Sequence, residues 1–136
     1  MQTVSNANLI QQAAAVLNPV KLTDDMYVGD VACALIAESG ETFTGAAIGG
    51  YLGLCAEQSA ASNMVSHTQP RIIKMVAVWR NENGELFVLP PCGRCREFLC
   101  LLSQNNLETD VILGKEHTVK LKDLLPLNGW HAEKAT

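Results

Sequence analysis

The sequence predicts an α/β/α sandwich around a mixed five-stranded sheet, and three observations predict it. Apolar segments of strand length alternate with segments of helical apolar spacing after an opening pair of strands. Their order, α-β-β-α-β-(turn)-α-β-β-α, suits helices on both faces of one sheet. Two short cysteine-bearing stretches stand where helices open, the places at which sheets of this class gather ligands.

Asn6 to Leu17 carries Leu9, Ile10, Ala13, Ala14, Val16 and Leu17 on a helical face, and Asn18-Pro19 ends it. Lys21 to Asp25 is polar and reads as a turn or short cap. Val28 to Ala37 is apolar up to the turn Glu38-Ser39-Gly40-Glu41, and Thr42-Phe43-Thr44 resumes extended propensity, so the two form a β-hairpin. Gly45 to Gly53 holds four glycines in nine residues. That pattern fits a backbone passing close to a ligand or another chain, and equally a flexible loop. Residues 54–67 make the first motif helix, with Met64 and Val65 continuing its apolar face. Ile72 to Arg80 is the strongest strand candidate; Asn81 to Glu85 turns the chain and Leu86 to Leu89 returns. A second motif helix follows over about 93–103, then short strands at Val111 to Leu113 and Thr118 to Leu121, and a helical turn at Asp123 to Pro126. There is no repeat, linker or low-complexity tract, and residues 1–136 are expected to form one domain.

Composition narrows the partners. A chain that is 48% hydrophobic and 18% charged is globular rather than disordered. Its net charge of −4 argues against a surface that tracks phosphates, which favours a free small molecule over nucleic acid. Five cysteines are an odd count and sit badly with a disulfide framework; Cys33 and Cys100 fall in apolar runs and read as small buried hydrophobes. A basic leader followed by an apolar core is not visible, and no apolar run approaches a membrane span, so the expected location is cytoplasmic.

The chemistry concentrates in Cys55-Ala56-Glu57 and Pro90-Pro91-Cys92-Gly93-Arg94-Cys95. Three cysteines at two helix starts make an incomplete tetrahedron, and catalytic zinc takes three protein ligands plus water. Three thiolates on a divalent cation leave one negative charge, which two helix N-termini can offset. Arg94 or Arg96 could donate to a thiolate as well. Glu57, two residues beyond Cys55, can reach the open position without being a ligand, and can move protons there.

Plainer readings stand beside these. Cys92 and Cys95 alone would make a redox pair, which also favours a helix N-terminus. A structural zinc would need a fourth ligand, and His67, His117 and His131 lie at no spacing that brings them to the cysteine motifs. Glu57 by itself would be a solvated helix residue, and Arg94 and Arg96 ordinary surface charges. Trp130 and His131 read as packing or interface residues, and Tyr51 as packing or as a platform for a base.

With both motifs in order, the chain resembles the zinc deaminases, whose pattern is a ligand, a glutamate two residues on, and later Pro-Cys-x-x-Cys. The likeness is to the small form of the cytidine deaminase family, with motif wording closest to the blasticidin S deaminases. It extends over Val31-Ala32-Cys33-Ala34-Leu35-Ile36, Gly40, Thr44-Gly45, the two motifs, and Leu124-Leu125-Pro126 with Trp130. The resemblance implies Zn2+ on Cys55, Cys92 and Cys95, Glu57 as proton shuttle, and the Ala56 N–H on the pyrimidine carbonyl. It also implies a homotetramer. The family's Asn-x-Glu, which holds the ribose hydroxyls, matches Ala47 and Gly49 here, and Gln58 replaces the arginine that quiets the thiolates, leaving Arg94 or Arg96 for that task. The function implied is hydrolytic deamination of an aminopyrimidine nucleoside or analogue, with cytidine a poor substrate. The alternative is a non-catalytic module that keeps zinc for stability.

Overall fold

The computed structural model describes residues 4–49 and 53–136. Tyr51, weighed above as a platform for a base, lies outside the described residues. The elements are α1 (Asn6–Ala14), β1 (Val20–Thr23), β2 (Met26–Ala37), β3 (Thr42–Ile48), α2 (Ala56–Ser66), β4 (Ile72–Arg80), β5 (Leu86–Leu89), α3 (Gly93–Leu102), β6 (Asp110–Gly114), β7 (His117–Lys120) and α4 (Leu121–Leu124). Short 3-10 turns follow α3 at Gln104–Glu108 and α4 at Gly129–His131.

One mixed sheet of seven strands carries the fold. Val28 of β2 pairs with Val20 of β1 on one edge and Ile48 of β3 on the other, and Cys33 pairs with Gly45 of β3 and Ala77 of β4. So β1 and β4 share one edge of β2, end to end. In the same way Ala77 pairs with both Cys33 and Leu89, so β5 shares with β6 the far edge of β4. The sheet is therefore at most five strands wide (β3, β2, β4, β6 and β7), as the sequence pattern predicts, with β1 and β5 as extensions. Its single parallel pairing is β4 with β6; the rest are antiparallel.

Alternation along β2 builds the two layers. Ala32, Ala34 and Ile36 pack with Leu9, Ile10 and Ala13 of α1, together with Val76, Val78 and Ile112. Cys33, Leu35 and Ala37 face the other way, against Ala56, Ala60, Ala61 and Met64 of α2 and Leu99 of α3. A period of two in side-chain direction thus feeds helices on both faces. Cys33 and Cys100 are both fully buried.

Three elements differ from the sequence reading. α1 stops at Ala14 rather than Leu17, because the next residues tighten into i+3 bonds (Val16 N to Ala13 O, Leu17 N to Ala14 O) ahead of Pro19. The polar stretch from Lys21 begins as strand β1 and only then turns at Asp24-Asp25. The glycine-rich stretch starts as the continuation of β3 to Ile48. Gly45 within it makes a close approach, but to a helix of the same chain: a Cβ there would lie 2.3 Å from the backbone nitrogen of Ala60. That contact lets α2 sit down on β3.

Candidate active site

Both motif helices open on a cysteine. Cys55 is the N-cap of α2 and Cys92 the N-cap of α3, each with extended backbone and neither capping with its side chain. The sulfurs are thereby left free to turn outward from the helix ends. Cys95, one turn into α3, is fully buried. The parallel β4–β6 pair and the crossing between them bring these ends together: Cys55 Sγ lies 3.6 Å from Cys92 Sγ, and Cys92 Sγ lies 3.5 Å from Cys95 Sγ. All three sulfurs fall within 4.8 Å of one another, and no histidine joins them among the described residues. His67 instead packs on Phe43 and bonds the Asn63 carbonyl, while His117 and His131 are exposed. Trp130 is exposed too.

The donor set fits a soft divalent metal. Three thiols converging without a fourth protein ligand leave one coordination position open, which suits tetrahedral zinc better than an oxygen-seeking cation. Two helix N-termini aim unpaired N–H groups and positive dipole ends at the cluster.

Glu57 lies beside it. The side chain is buried, and Cys95 Sγ stands 3.7 Å from its Oε2. Burial pushes its carboxyl above the usual carboxylate range, against the opposing pull of its own backbone N–H and the Cys95 thiol. Burial also raises the Cys95 thiol strongly, and the negative Glu57 adds to that; the Cys55 thiol is raised by burial as well. Cys92 moves the other way. Burial pushes it up, but the N–H of Cys95, the Cys95 and Cys55 thiols and the N–H of Arg94 together hold it below the usual thiol range.

The arginines are placed otherwise than the sequence reading expected. Arg96 donates Nε to the Pro91 carbonyl at 2.8 Å and Nη1 to the Leu124 carbonyl at 3.0 Å, tying α3 to α4. Arg94 reaches the Gly53 carbonyl at 3.5 Å. One step along a helix turns a side chain about 100° from Cys95, which carries Arg96 off the metal side. The side chain that does donate to a sulfur is Gln58, with Nε2 3.9 Å from Cys95 Sγ.

A cavity of about 420 Å³ opens at the cluster, lined by Cys55, Ala56, Glu57, Cys92 and Arg94 from the helix side and by Asp30, Val31, Ala47, Ile48 and Gly49 from the hairpin. Its size lies within the roughly 300–1,000 Å³ of small-molecule sites. Ala56, the first residue of α2, has an N–H with no acceptor inside its own helix. Ala47 and Gly49 do line the cavity, as the motif match requires. Asp30 was passed over in the sequence, although a lone charge inside the apolar run from Val28 to Ala37 was a signal that could have found it. Asn106 was missed as well; its amide is fully buried and bonds Ile72 N, Pro70 O and Leu99 O, fastening the end of α3 to the start of β4.

Sheet, helix order and cysteine cluster together define a deaminase-type α/β fold with a candidate metal centre. Its solved neighbours agree. The cytidine deaminase of Mycobacterium leprae is 25% identical and superposes with a TM-score of 0.71, covering 92% of this chain and 100% of that one. The cytidine deaminase of Mycobacterium tuberculosis is 26% identical with a TM-score of 0.64, covering 90% and 92%. That of Bacillus anthracis shares the fold at 24% identity, with a TM-score of 0.66 and coverage of 88% and 86%. No protein-family model matches the chain. The resemblance carried by the two motifs therefore holds, and the chain is cytidine deaminase-like. No helix among the described residues is long and apolar enough to cross a membrane.

Proposed function

We propose that the chain is a zinc-dependent hydrolytic deaminase of an aminopyrimidine nucleoside or nucleoside analogue. The observation that carries this reading is the buried Glu57 carboxyl held 3.7 Å from one sulfur of the three-cysteine cluster. Cys55, Cys92 and Cys95 would hold the zinc, which supplies an activated water as nucleophile. The remaining work falls to the chain. The Ala56 N–H donates to the ring carbonyl and fixes the ring's orientation. Glu57 takes the proton from the attacking water, delivers it to the ring nitrogen, and passes a proton to the departing amino group. Water's oxygen ends on the ring carbon, the carbon–nitrogen bond breaks, and ammonia leaves. A raised carboxyl pKa suits a group that must both accept and return a proton near neutral pH. Gln58 and the two helix ends offset the thiolate charge.

Within this reading residues 1–136 act as one cytoplasmic domain and assemble as a homotetramer; the exposed pair Trp79 and Phe87, with ring centroids 5.7 Å apart, supports assembly. Ala47 and Gly49 offer ribose no side-chain partner. Two or three missing hydrogen bonds, each about 1 kcal/mol, put efficiency on cytidine roughly ten- to several-hundredfold below that of a cytidine deaminase. The test is ammonia release from cytidine, deoxycytidine, cytosine and blasticidin S, with Glu57→Gln as control. Release from at least one of them, lost in the control, is expected. No release from any by zinc-loaded protein would leave the non-catalytic module as the better reading.

A further inference from the structure

The three cysteines of the cluster are held in unequal ways. Cys95 is fully buried, so packing fixes it. Cys55 stands between Leu54, whose N–H and carbonyl bond to Ile48 at 2.7 and 2.8 Å, and Ala56, which is fully buried. Cys92 is placed otherwise. Cys92, Gly93 and Arg94 are all exposed, and a Cβ on Gly93 would meet no described atom within 4 Å. Pro91, on its other side, is buried but has no N–H to bond with. Side-chain packing therefore does not set where the Cys92 sulfur points.

Arg96 does. The direction of a Cα–Cβ bond follows from the two peptide planes that meet at that Cα. For Cys92 those planes carry the Pro91 and Cys92 carbonyls, and Arg96 bonds both. Its Nε donates to the Pro91 oxygen at 2.8 Å, and its backbone N–H donates to the Cys92 oxygen at 3.0 Å. The backbone bond is the first of the helix, and any residue but proline would make it there. The side-chain bond is particular to arginine, and its far end is anchored too. Nη1 donates at 3.0 Å to the carbonyl of Leu124, the last residue of α4, where a carbonyl lacks a donor within its own helix. That helix is seated in the core by Leu121, fully buried, whose N–H bonds the Thr109 carbonyl at 2.9 Å. A rigid planar fork thus spans from the core to the peptide that precedes the exposed cysteine.

We propose that Arg96 is a positioning residue for the metal centre: by holding the Pro91 peptide against Leu124 it fixes Cys92, and metal affinity and coordination depend on that hold. This rests on the three-cysteine centre of the proposed function and not on deamination itself. Lysine at this position keeps the charge and loses the fork, whereas methionine keeps much of the stem and loses both.

Zinc affinity is measured on the full chain by competition with a chromophoric chelator, and coordination by the thiolate-to-cobalt absorption bands of the cobalt-loaded protein. Arg96→Met should weaken zinc binding roughly ten- to hundredfold, the usual loss when a group that orients a metal ligand is removed. Arg96→Lys should fall between it and the unaltered chain, and both should weaken the cobalt bands. Ile112→Ala is the control. It opens a cavity among the residues packed on α1, across the sheet from α2 and α3, so it should lower the melting temperature and leave zinc affinity and bands unchanged. Unchanged affinity and bands in both Arg96 variants overturn the proposal. A loss in Ile112→Ala equal to that in Arg96→Met overturns it as well, since stability alone would then explain both. Should Arg96→Met not fold, Arg96→Lys decides by the same readings. Zinc retained by Cys92→Ala defeats the metal reading and this inference with it. Weakened zinc in the Arg96 variants, with no aminopyrimidine deaminated by the unaltered chain, upholds this inference and ends only the deaminase reading.

Discussion

The cavity has two walls of opposite construction. The helix wall, from the N-termini of α2 and α3, is made of residues whose positions follow from capping geometry: Cys55 and Cys92 as N-caps, Ala56 and Glu57 in the first turn, Cys95 one turn on. The hairpin wall comes from the bulge of β2 between Val28 and Ala32 and from small residues of β3, where Ala47 and Gly49 leave space and Asp30 is turned inward. In the proposed reaction, regular structure thus holds the groups for bond making and breaking, because those groups tolerate little displacement. Irregular strand lines the rest of the cavity. A sheet can keep its register while a bulge moves.

The sharpest way to break this division is to attack the helix wall. Cys92→Ala removes one of three sulfurs, and zinc content should fall from about one per chain to near zero, since no described histidine is at hand to substitute. Metal analysis decides it, and full retention would remove these cysteines from the assignment. Glu57→Gln should keep zinc and fold while lowering turnover at least about a hundredfold, the low end for general acid–base catalysis. Near-normal turnover on the preferred substrate would move the proton work elsewhere.

Between the walls, Gly45 carries the helix against the hairpin. Gly45→Ala pushes a methyl into the Ala60 backbone and should cost about 1–3 kcal/mol in urea unfolding, a penalty that overpacking typically brings. An unchanged midpoint would mean that α2 does not bear on β3 there. The smallest effect expected is on pH. The folded-state pKa of Glu57 is raised by burial, so its contribution to stability is fully present below the unfolded value of about 4.3 and is lost as pH rises through the folded value. Zinc-stripped Glu57→Gln should therefore show a flatter decline in unfolding free energy than the unaltered protein as pH rises above about 4. Parallel curves would mean that the carboxyl is solvated.

What the amino-acid order made legible was whatever obeys a period or a cap. Ile72 to Arg80 announces itself by β-branched and apolar density, and β4 has those same bounds. Cys55 and Cys92 stood out because Cys-x-Glu and a later Pro-Cys-x-x-Cys, each at a helix start, have few other joint readings. β1 hid because Lys21, Leu22 and Thr23 are all exposed, and a strand without a buried face has no alternation to read. The role of Gly45 hid because a glycine made necessary by a distant backbone looks the same as one in a loop. Arg96 misled because it follows Cys95 directly, whereas its bonds go to the Pro91 carbonyl and to Leu124, the latter across a gap no local pattern spans. Asp30 stayed out of sight for a kindred reason. The face a strand residue takes is inferred from parity, and a bulge breaks parity without leaving a mark in composition.

Restoring the family's Asn-x-Glu at Ala47 and Gly49 has a physical limit. At Gly49 a Cβ would stand 3.0 Å from the Tyr27 carbonyl oxygen, whose bond to Gly49 N closes the same gap. A glutamate there must first move Tyr27.

Insertions and deletions are ordinarily ruinous inside a central strand, because a slip of one residue turns every following side chain to the wrong layer. Between Gly29 and Val31 the chain escapes that rule. Gly29 and Asp30 have no partner in β1, β3 or β4, and pairing resumes only from Val31 with Trp79 and Ala32 with Ala46. A residue gained or lost in that window would be taken up locally, with Cys33 to Ala37 still seated in the core. Descendants of this chain can thus change the length of the hairpin wall in mid-strand, and inherit the helix wall intact.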